Sequence, residues 1–247
     1  AADLPGVGKN LQDHLNLSVL AKTHDPISLA GIASGFKAMR ALGQFLYNRT
    51  GPGTTNGAES GGFYASPLSP GRPDIQLHLV PLMLGDGMQD VGIHGVTVHA
   101  CNLRPTDRGE LTLASNDPMA APIIDNRFLG TDGNIQVMRE GLAIAREFLA
   151  SGPMAKLISD EYLPGKDVTA ISAIDQFIRS NSETVYHPSG TCKMGSDDMA
   201  VFDADLRVRG FDNLRVVDAS VMPSLISGNT NAPCMMIAEK AADMILT

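Results

Sequence analysis

Pro73-Asp-Ile-Gln-Leu-His-Leu-Val-Pro-Leu-Met-Leu84 sets Ile75, Leu77 and Leu79 at every second position, with Gln76, His78 and Val80 between them. A period of two sends alternate side chains to opposite faces of a strand, so this stretch is expected to lie in a sheet. Working outward, Gly95–Leu103 and Gly109–Ser115 read as two further strands joined by a turn at Pro105–Arg108. Leu15, Leu17, Val19 and Ala21 make a half-buried strand on the N-terminal side, and Gly62–Ala65 is a short apolar run. An antiparallel sheet of about five strands follows.

Helical patterns surround these strands. Ser28–Asn48 carries Ile32, Phe36, Met39, Leu42, Phe45 and Leu46 broadly on one face, interrupted by Lys37, Arg40 and Gln44. Asp132 is a cap for a helix reaching Ala150, with Ile135, Met138, Leu142, Ala145 and Leu149 inward and Gly152-Pro153 ending it. Val168–Ser180 repeats the pattern through Ile171, Ile174, Phe177 and Ile178. Asp205–Arg209 and Asn213–Ala219 read as short strands, the second delivering Asp218 at its C-terminal edge. The last helix starts at Asn231, expected as its N-cap, with Pro233 in the first turn. Residues 116–128 read as irregular. The fold class is α/β (α+β).

Composition excludes several functions. A net charge of −8 without a dense basic run argues against nucleic acid. No apolar window is long enough for a transmembrane helix. Cys101, Cys192 and Cys234 are odd in number and widely spaced, which points to a reducing, cytoplasmic compartment, with peripheral membrane attachment left open. Cys192 reads as a small packing thiol before a nucleophile. The opening residues, Ala1-Ala-Asp-Leu-Pro-Gly, have no initiator Met and no targeting pattern, so the chain is expected to begin inside a longer polypeptide.

Thr184-Val-Tyr-His-Pro-Ser-Gly-Thr-Cys-Lys-Met-Gly195 is the stretch with chemistry in it. Pro188 biases His187 toward extended backbone, and Gly190 and Gly195 allow reversals beyond it. An imidazole held still in this way suits acid/base work, because its pKa lies near working pH. Pro5–His14 is a glycine-punctuated loop. Its Gly6-Val-Gly8 lacks both the third glycine and the preceding strand of a dinucleotide fingerprint, and no other stretch supplies one.

Three stretches, LPGVGKNLQDH, VYHPSGTCKMG and LRVVDASVMPSLISGNTNAPCMMIAEKAADMI, together resemble the glucose-methanol-choline (GMC) oxidoreductases, in their choline-dehydrogenase-like and alcohol-dehydrogenase-like branch. The resemblance implies that this chain matches roughly the second half of such an enzyme, without the GxGxxG half. It divides the chain into a cofactor-proximal loop (1–14), a substrate-binding domain (15–182) and a C-terminal segment (183–247) that carries catalysis and cofactor contacts. It implies FAD as cofactor, no metal, and oxidation of a primary alcohol to an aldehyde by hydride transfer to flavin N5.

The residues carried over are these. His187 takes the alcohol proton, and Asn231 donates to the same oxygen as it becomes alkoxide-like. Asp218 and Ala219 match positions beside the FAD ribityl and pyrophosphate, and Asn231, Ala232, Pro233 and Cys234 form the helix start facing the flavin. Glu59 and His78 match substrate-contacting positions, with a solvated carboxylate and a strand histidine as the plain alternatives. Asn10, Asp13 and His14 match a loop close to the cofactor, where His14 reads as structural. The expected partners are a small alcohol, an unspecified electron acceptor and an N-terminal FAD-binding half. The chain alone is expected to bind FAD weakly. A non-catalytic fragment or binding subunit is the alternative.

Overall fold

The computed structural model describes residues 3–246. Ala1 and Ala2, which open the expected 1–14 loop, and Thr247, which ends the expected last helix, lie outside the described residues. The chain forms two compact units. One comprises Ala1–Leu15, Leu103–Asn134 and Thr184–Thr247; the other comprises Asn16–Asn102 and Ile135–Glu183.

The second unit is built on a six-stranded sheet. Its strands are β1 (Leu15–Thr23), β2 (Ser60–Tyr64), β3 (Ile75–Val80), β4 (Gly95–Asn102), β7 (Ile158–Leu163) and β8 (Ser182–Thr184). The order runs β8-β1-β4-β3-β2, with β7 also pairing β1. The pairings of β1 with β4, of β4 with β3 and of β3 with β2 are antiparallel. Alternation makes one face apolar, through Leu17, Val19, Val98, Ala100, Ile75 and Leu77, all buried. Helix α2 (Asp132–Ala150) packs there, and a Cβ added at Gly141 would stand 3.2 Å from the Ala100 methyl. Ile135, Met138, Leu142, Ala145 and Leu149 are buried, as the helical spacing requires. Two ion pairs fasten this layer: Arg139 to Asp175 on α3 (Ile171–Asn181), and Arg146 to Glu161 on β7.

Helix α1 (Gly35–Asn48) departs from expectation twice. Gly31 and Gly35, at φ 70° and 56°, turn the chain out of the right-handed region, so the helix cannot begin at Ser28. Its apolar residues Phe36, Met39, Leu42 and Leu46 are exposed, and Ala41 is its one buried residue. Periodicity reports that a face exists, and says nothing about what covers it.

In the first unit, β5 (Glu110–Thr112) pairs with β6 (Ile123–Asp125), inside the stretch expected to be irregular. Residues 103–134 therefore group with the stretches 1–15 and 184–247 instead of with the rest of the expected substrate domain. The cause is backbone pairing: Leu11 and Gly109 exchange hydrogen bonds, and Leu111 donates to the Gly8 carbonyl at 2.7 Å. The two short strands expected at 205–209 and 213–219 are reduced to isolated bridges, Phe202 with Val208 and Arg207 with Arg215, because their other backbone groups find no continuous strand partner among the described residues. Helix α4 (Asn231–Leu246) packs through Ile237 and Ala241 on a core of Val201, Phe202, Leu206, Val208, Val221 and Met222. No described helix is long and apolar enough to cross a membrane.

Candidate functional site

His187 is held by the N-terminal loop. Asp13, buried at 7% exposure, accepts the His187 backbone N–H at 2.9 Å on one oxygen and the Thr184 hydroxyl on the other. Thr184 Oγ1 in turn accepts the Tyr186 N–H at 2.8 Å. Tyr186 sits at φ 62°, in the left-handed region that an aromatic residue seldom occupies. The carboxylate thus grips both ends of the turn that presents the imidazole. Burial raises the Asp13 pKa, against the lowering effect of these hydrogen bonds and of the His187 charge.

The rest of the loop is stitched to the same segment. Gln12 and Ser189 exchange backbone hydrogen bonds at 2.9 Å, and Gly8 donates to Thr191 at 2.8 Å. The Gln12 side chain accepts from Leu225 and donates to Pro223, while the Asn10 amide donates to Gly190 and Pro223. Gly190, at φ 87°, lets these strands approach; a Cβ there would lie 2.6 Å from the Asn10 carbonyl oxygen. Asn10, Gln12 and Asp13 are therefore the clasp of the histidine segment, a job that loop residues with both donors and acceptors suit.

His14 is fully buried beside His187. The two Nδ1 atoms are 2.9 Å apart and the rings stand almost perpendicular, at 86°. His14 Nε2 lies 3.1 Å from the Leu103 carbonyl oxygen and 3.0 Å from that of Ile226. Burial, with the nearby His187 charge, pushes the His14 pKa down to about 4. Burial also lowers His187, opposed by the Asp13 carboxylate. Both rings are thus biased toward the neutral form.

The Asp218 segment joins on through a ladder: Gly190, Cys192 and Met194 donate to the carbonyls of Ala219, Ser220 and Val221. Asp218 is exposed, and one of its oxygens accepts the Ser220 N–H at 2.8 Å. Ala219 and Cys234 pack against the same core, and the turn Ala219–Val221 that follows Asp218 contacts α4. Cys234 donates its N–H to the Thr230 carbonyl at 3.0 Å, so Asn231 stands inside the first turn instead of capping it. Asn231 and Ala232 are exposed, Pro233 and Cys234 partly buried, and the first turn holds no acidic residue. The Asn231 amide has no hydrogen-bond partner among the described residues. Cys192 is half-buried with its thiol pKa pushed up by burial, the reverse of what a nucleophile needs.

Glu59 and His78 belong to the other unit. Glu59 is exposed just ahead of β2, whose Gly61 stands opposite His78 on β3. His78 in turn pairs with His99 on the neighbouring β4. His99 escaped the sequence reading, since nothing in its neighbours' identity marks it. Its Nδ1 lies 2.9 Å from both the Asn16 amide nitrogen and the Ser18 hydroxyl, and burial, with the charge of His78, holds its pKa down to about 4. Asn16 Oδ1 is left as a buried acceptor without a partner among the described residues.

The profile of the GMC oxidoreductase family matches residues 105–238, more than half of the chain, and the chain belongs to that family. An alcohol dehydrogenase (acceptor) of Pseudomonas putida is 44% identical over 99% of the chain and 45% of its own length. An oxygen-dependent choline dehydrogenase of Acinetobacter baumannii is 41% identical over 98% of the chain and 44% of its own length. The chain thus spans about half the length of the curated relatives it matches. Among solved structures, formate oxidase of Aspergillus oryzae superposes with a TM-score of 0.91 at 26% identity, covering 99% of this chain and 48% of that one. Pyridoxine 4-oxidase of Mesorbium loti gives 0.81 at 28%, covering 98% and 44%. GMC oxidoreductases and these neighbours are FAD-binding flavoproteins.

Proposed function

We propose that this chain carries the catalytic edge of an FAD-dependent alcohol oxidation, in which a primary alcohol becomes an aldehyde. The observation that carries the reading is the state of His187: partly buried, biased to the neutral form, gripped at its backbone by Asp13, and with Nε2 unbonded among the described residues. A neutral imidazole with one open nitrogen accepts a hydroxyl proton at neutral pH. The unpartnered Asn231 amide is suited to donate to the same oxygen as negative charge builds there.

The donor set supports FAD as the bound group. An exposed Asp218 carboxylate suits ribityl hydroxyls, and the acid-free first turn of α4 presents the positive end of a sixteen-residue helix to an electron-rich ring edge. Bound FAD supplies the hydride acceptor. Asp218, Ala219, Asn231, Ala232, Pro233 and Cys234 are the residues we assign to holding it. The glycine-rich phosphate-binding stretch is assigned to polypeptide outside this chain, since no GxGxxG spacing occurs in its sequence.

Glu59 and His78 are assigned to substrate contact, with a neutral or aliphatic alcohol favoured over choline. An exposed carboxylate gives little discrimination in water, and the chain has no tryptophan and four tyrosines to build a cage for a quaternary ammonium. The test is anaerobic reduction of the bound flavin by a primary alcohol in the FAD-loaded protein. We expect His187→Ala to slow reduction by about 10² or more while FAD content stays unchanged. Reduction at the wild-type rate would remove His187 from the mechanism, and a loaded protein that no alcohol reduces would favour a binding subunit.

A further inference from the structure

The hydrogen-bond geometry around His14 fixes where the ring protons of both histidines sit. His14 Nε2 faces two carbonyl oxygens, at 3.1 and 3.0 Å, and a carbonyl only accepts. The His14 proton therefore sits on Nε2. With its pKa held down to about 4, the ring is neutral around pH 7, and its Nδ1 is a bare lone pair. Two lone pairs do not share a 2.9 Å contact, so the facing His187 Nδ1 must carry hydrogen and donate it. A neutral imidazole has a single ring proton. His187 Nε2 is then bare.

We propose that His14 is a positioning residue that fixes the tautomer of His187, pinning its proton on Nδ1 and leaving Nε2 open as the proton acceptor. The inference rests on the reading of His187 as the base, and explains how that base is prepared. In the familiar Asp–His arrangement a carboxylate orients the ring at Nδ1. Here the carboxylate, Asp13, takes the His187 backbone N–H, and a neutral histidine takes the ring N–H. The difference has chemical weight. A carboxylate adjoining the ring favours the imidazolium and raises its pKa by about 1–3 units, whereas a neutral acceptor sets the tautomer without that penalty on the free base. His187 thus keeps an unprotonated nitrogen at neutral pH. The proton it accepts from an alcohol arrives on Nε2, while Nδ1–H stays bonded to His14.

The experiment is nitrogen NMR on the full, FAD-loaded protein with ¹⁵N-labelled histidine, His187 being assigned by its loss in His187→Asn. Expected are a protonated Nδ1 and bare Nε2 on His187, with the opposite pattern on His14. In His14→Leu the His187 ring should lose its single tautomer, and kcat should fall about 10- to 100-fold with KM changing less than about threefold. His14→Gln keeps one group to donate to the carbonyls and one to accept from Nδ1, and should hold kcat within about fivefold of wild type. That variant also covers the case in which leucine disrupts folding. A His187 found protonated on Nε2 in the wild-type protein, or a tautomer unchanged by His14→Leu, overturns the proposal. A tautomer that shifts while alcohol oxidation does not respond supports the positioning role and instead sinks the reading of His187 as the base.

Discussion

The Asp13 carboxylate and the His187 backbone N–H meet at 2.9 Å across 174 residues of chain. The same carboxylate takes the Thr184 hydroxyl, so one buried acid closes the turn on both sides of Tyr186. Removing it leaves two donors without their acceptor in a partly buried place. Each such loss costs about 1–3 kcal/mol. Asp13→Ala should therefore lower unfolding free energy by about 2–4 kcal/mol in urea titrations. Asp13→Asn, which keeps one acceptor oxygen, should cost less than half as much. Equal losses in the two variants would show that charge, and not the hydrogen bonds, matters there.

Gly190→Ala tests the close approach of the two strands. The methyl would lie 2.6 Å from the Asn10 carbonyl oxygen on a backbone at φ 87°, so crowding and torsional strain act together. A cost of about 2 kcal/mol or more is expected, read as a lower urea midpoint with an unchanged m-value. Gly133→Ala, inside α2, meets nothing within 4 Å and serves as the control without a clash, expected to be neutral or mildly stabilising.

Three histidines make stability depend on pH, His187 among them because burial lowers its pKa. His14 and His99 are held down to about 4, from an ordinary value of 6.5. Between those values the unfolded chain binds the extra protons, so stability is fully present above about pH 6.5 and drains away as pH falls toward 4. The slope reaches at most about 1.4 kcal/mol per pH unit for each histidine. Asp13 runs the other way: its pKa is raised, so the folded form keeps a proton that the unfolded chain gives up, and stability is lost as pH rises from 3.8 through its folded value. Urea midpoints across pH 4–7 should rise with pH, and the rise should be shallower in His99→Gln. A slope no shallower in His99→Gln than in the wild-type protein would contradict the burial of the His99 ring.

Substrate charge is decided by comparing choline with its uncharged carbon analogue in the FAD-loaded protein. With Glu59 exposed, the two kcat/KM values should agree within about tenfold, and Glu59→Gln should leave their ratio almost unchanged. A larger choline preference that collapses in Glu59→Gln would reverse the assignment of a neutral alcohol.

Much of the fold was legible where periodicity and burial coincide. Ile135, Met138, Leu142, Ala145 and Leu149 announce α2, and the alternation around Ile75 and Leu77 announces the sheet. Pairing was less visible. Residues 109–115 alternate like a sheet strand, yet β5 is claimed by the loop at Gly8 and by β6, because hydrogen-bond partners distant in sequence decide where a short strand goes. β7 went unseen because Ile158–Leu163 mixes Ser, Asp and Glu with its apolar residues and borders exposed surface. At the site, His187 stood out through its proline and glycines. His14 did not, since a buried histidine reads as packing until its ring partners are known. His99 is the same case within a strand.

The unit holding His187 is assembled from three stretches of chain, and its histidine pair samples all of them. His14 reaches Leu103 across 89 residues and Ile226 across 212. Synthesis must therefore pass Ile226 before both acceptors for the His14 proton exist. Contacts this remote are slow to form, because loop closure precedes any gain from the bond itself. The sheet of the other unit has its four neighbouring strands β1 to β4 complete by Asn102 and waits for much less. During synthesis or refolding the surroundings of the His14–His187 pair are thus among the last features to mature, and a chain interrupted shortly before Ile226 would retain the sheet while leaving His14 Nε2 with one acceptor in place of two.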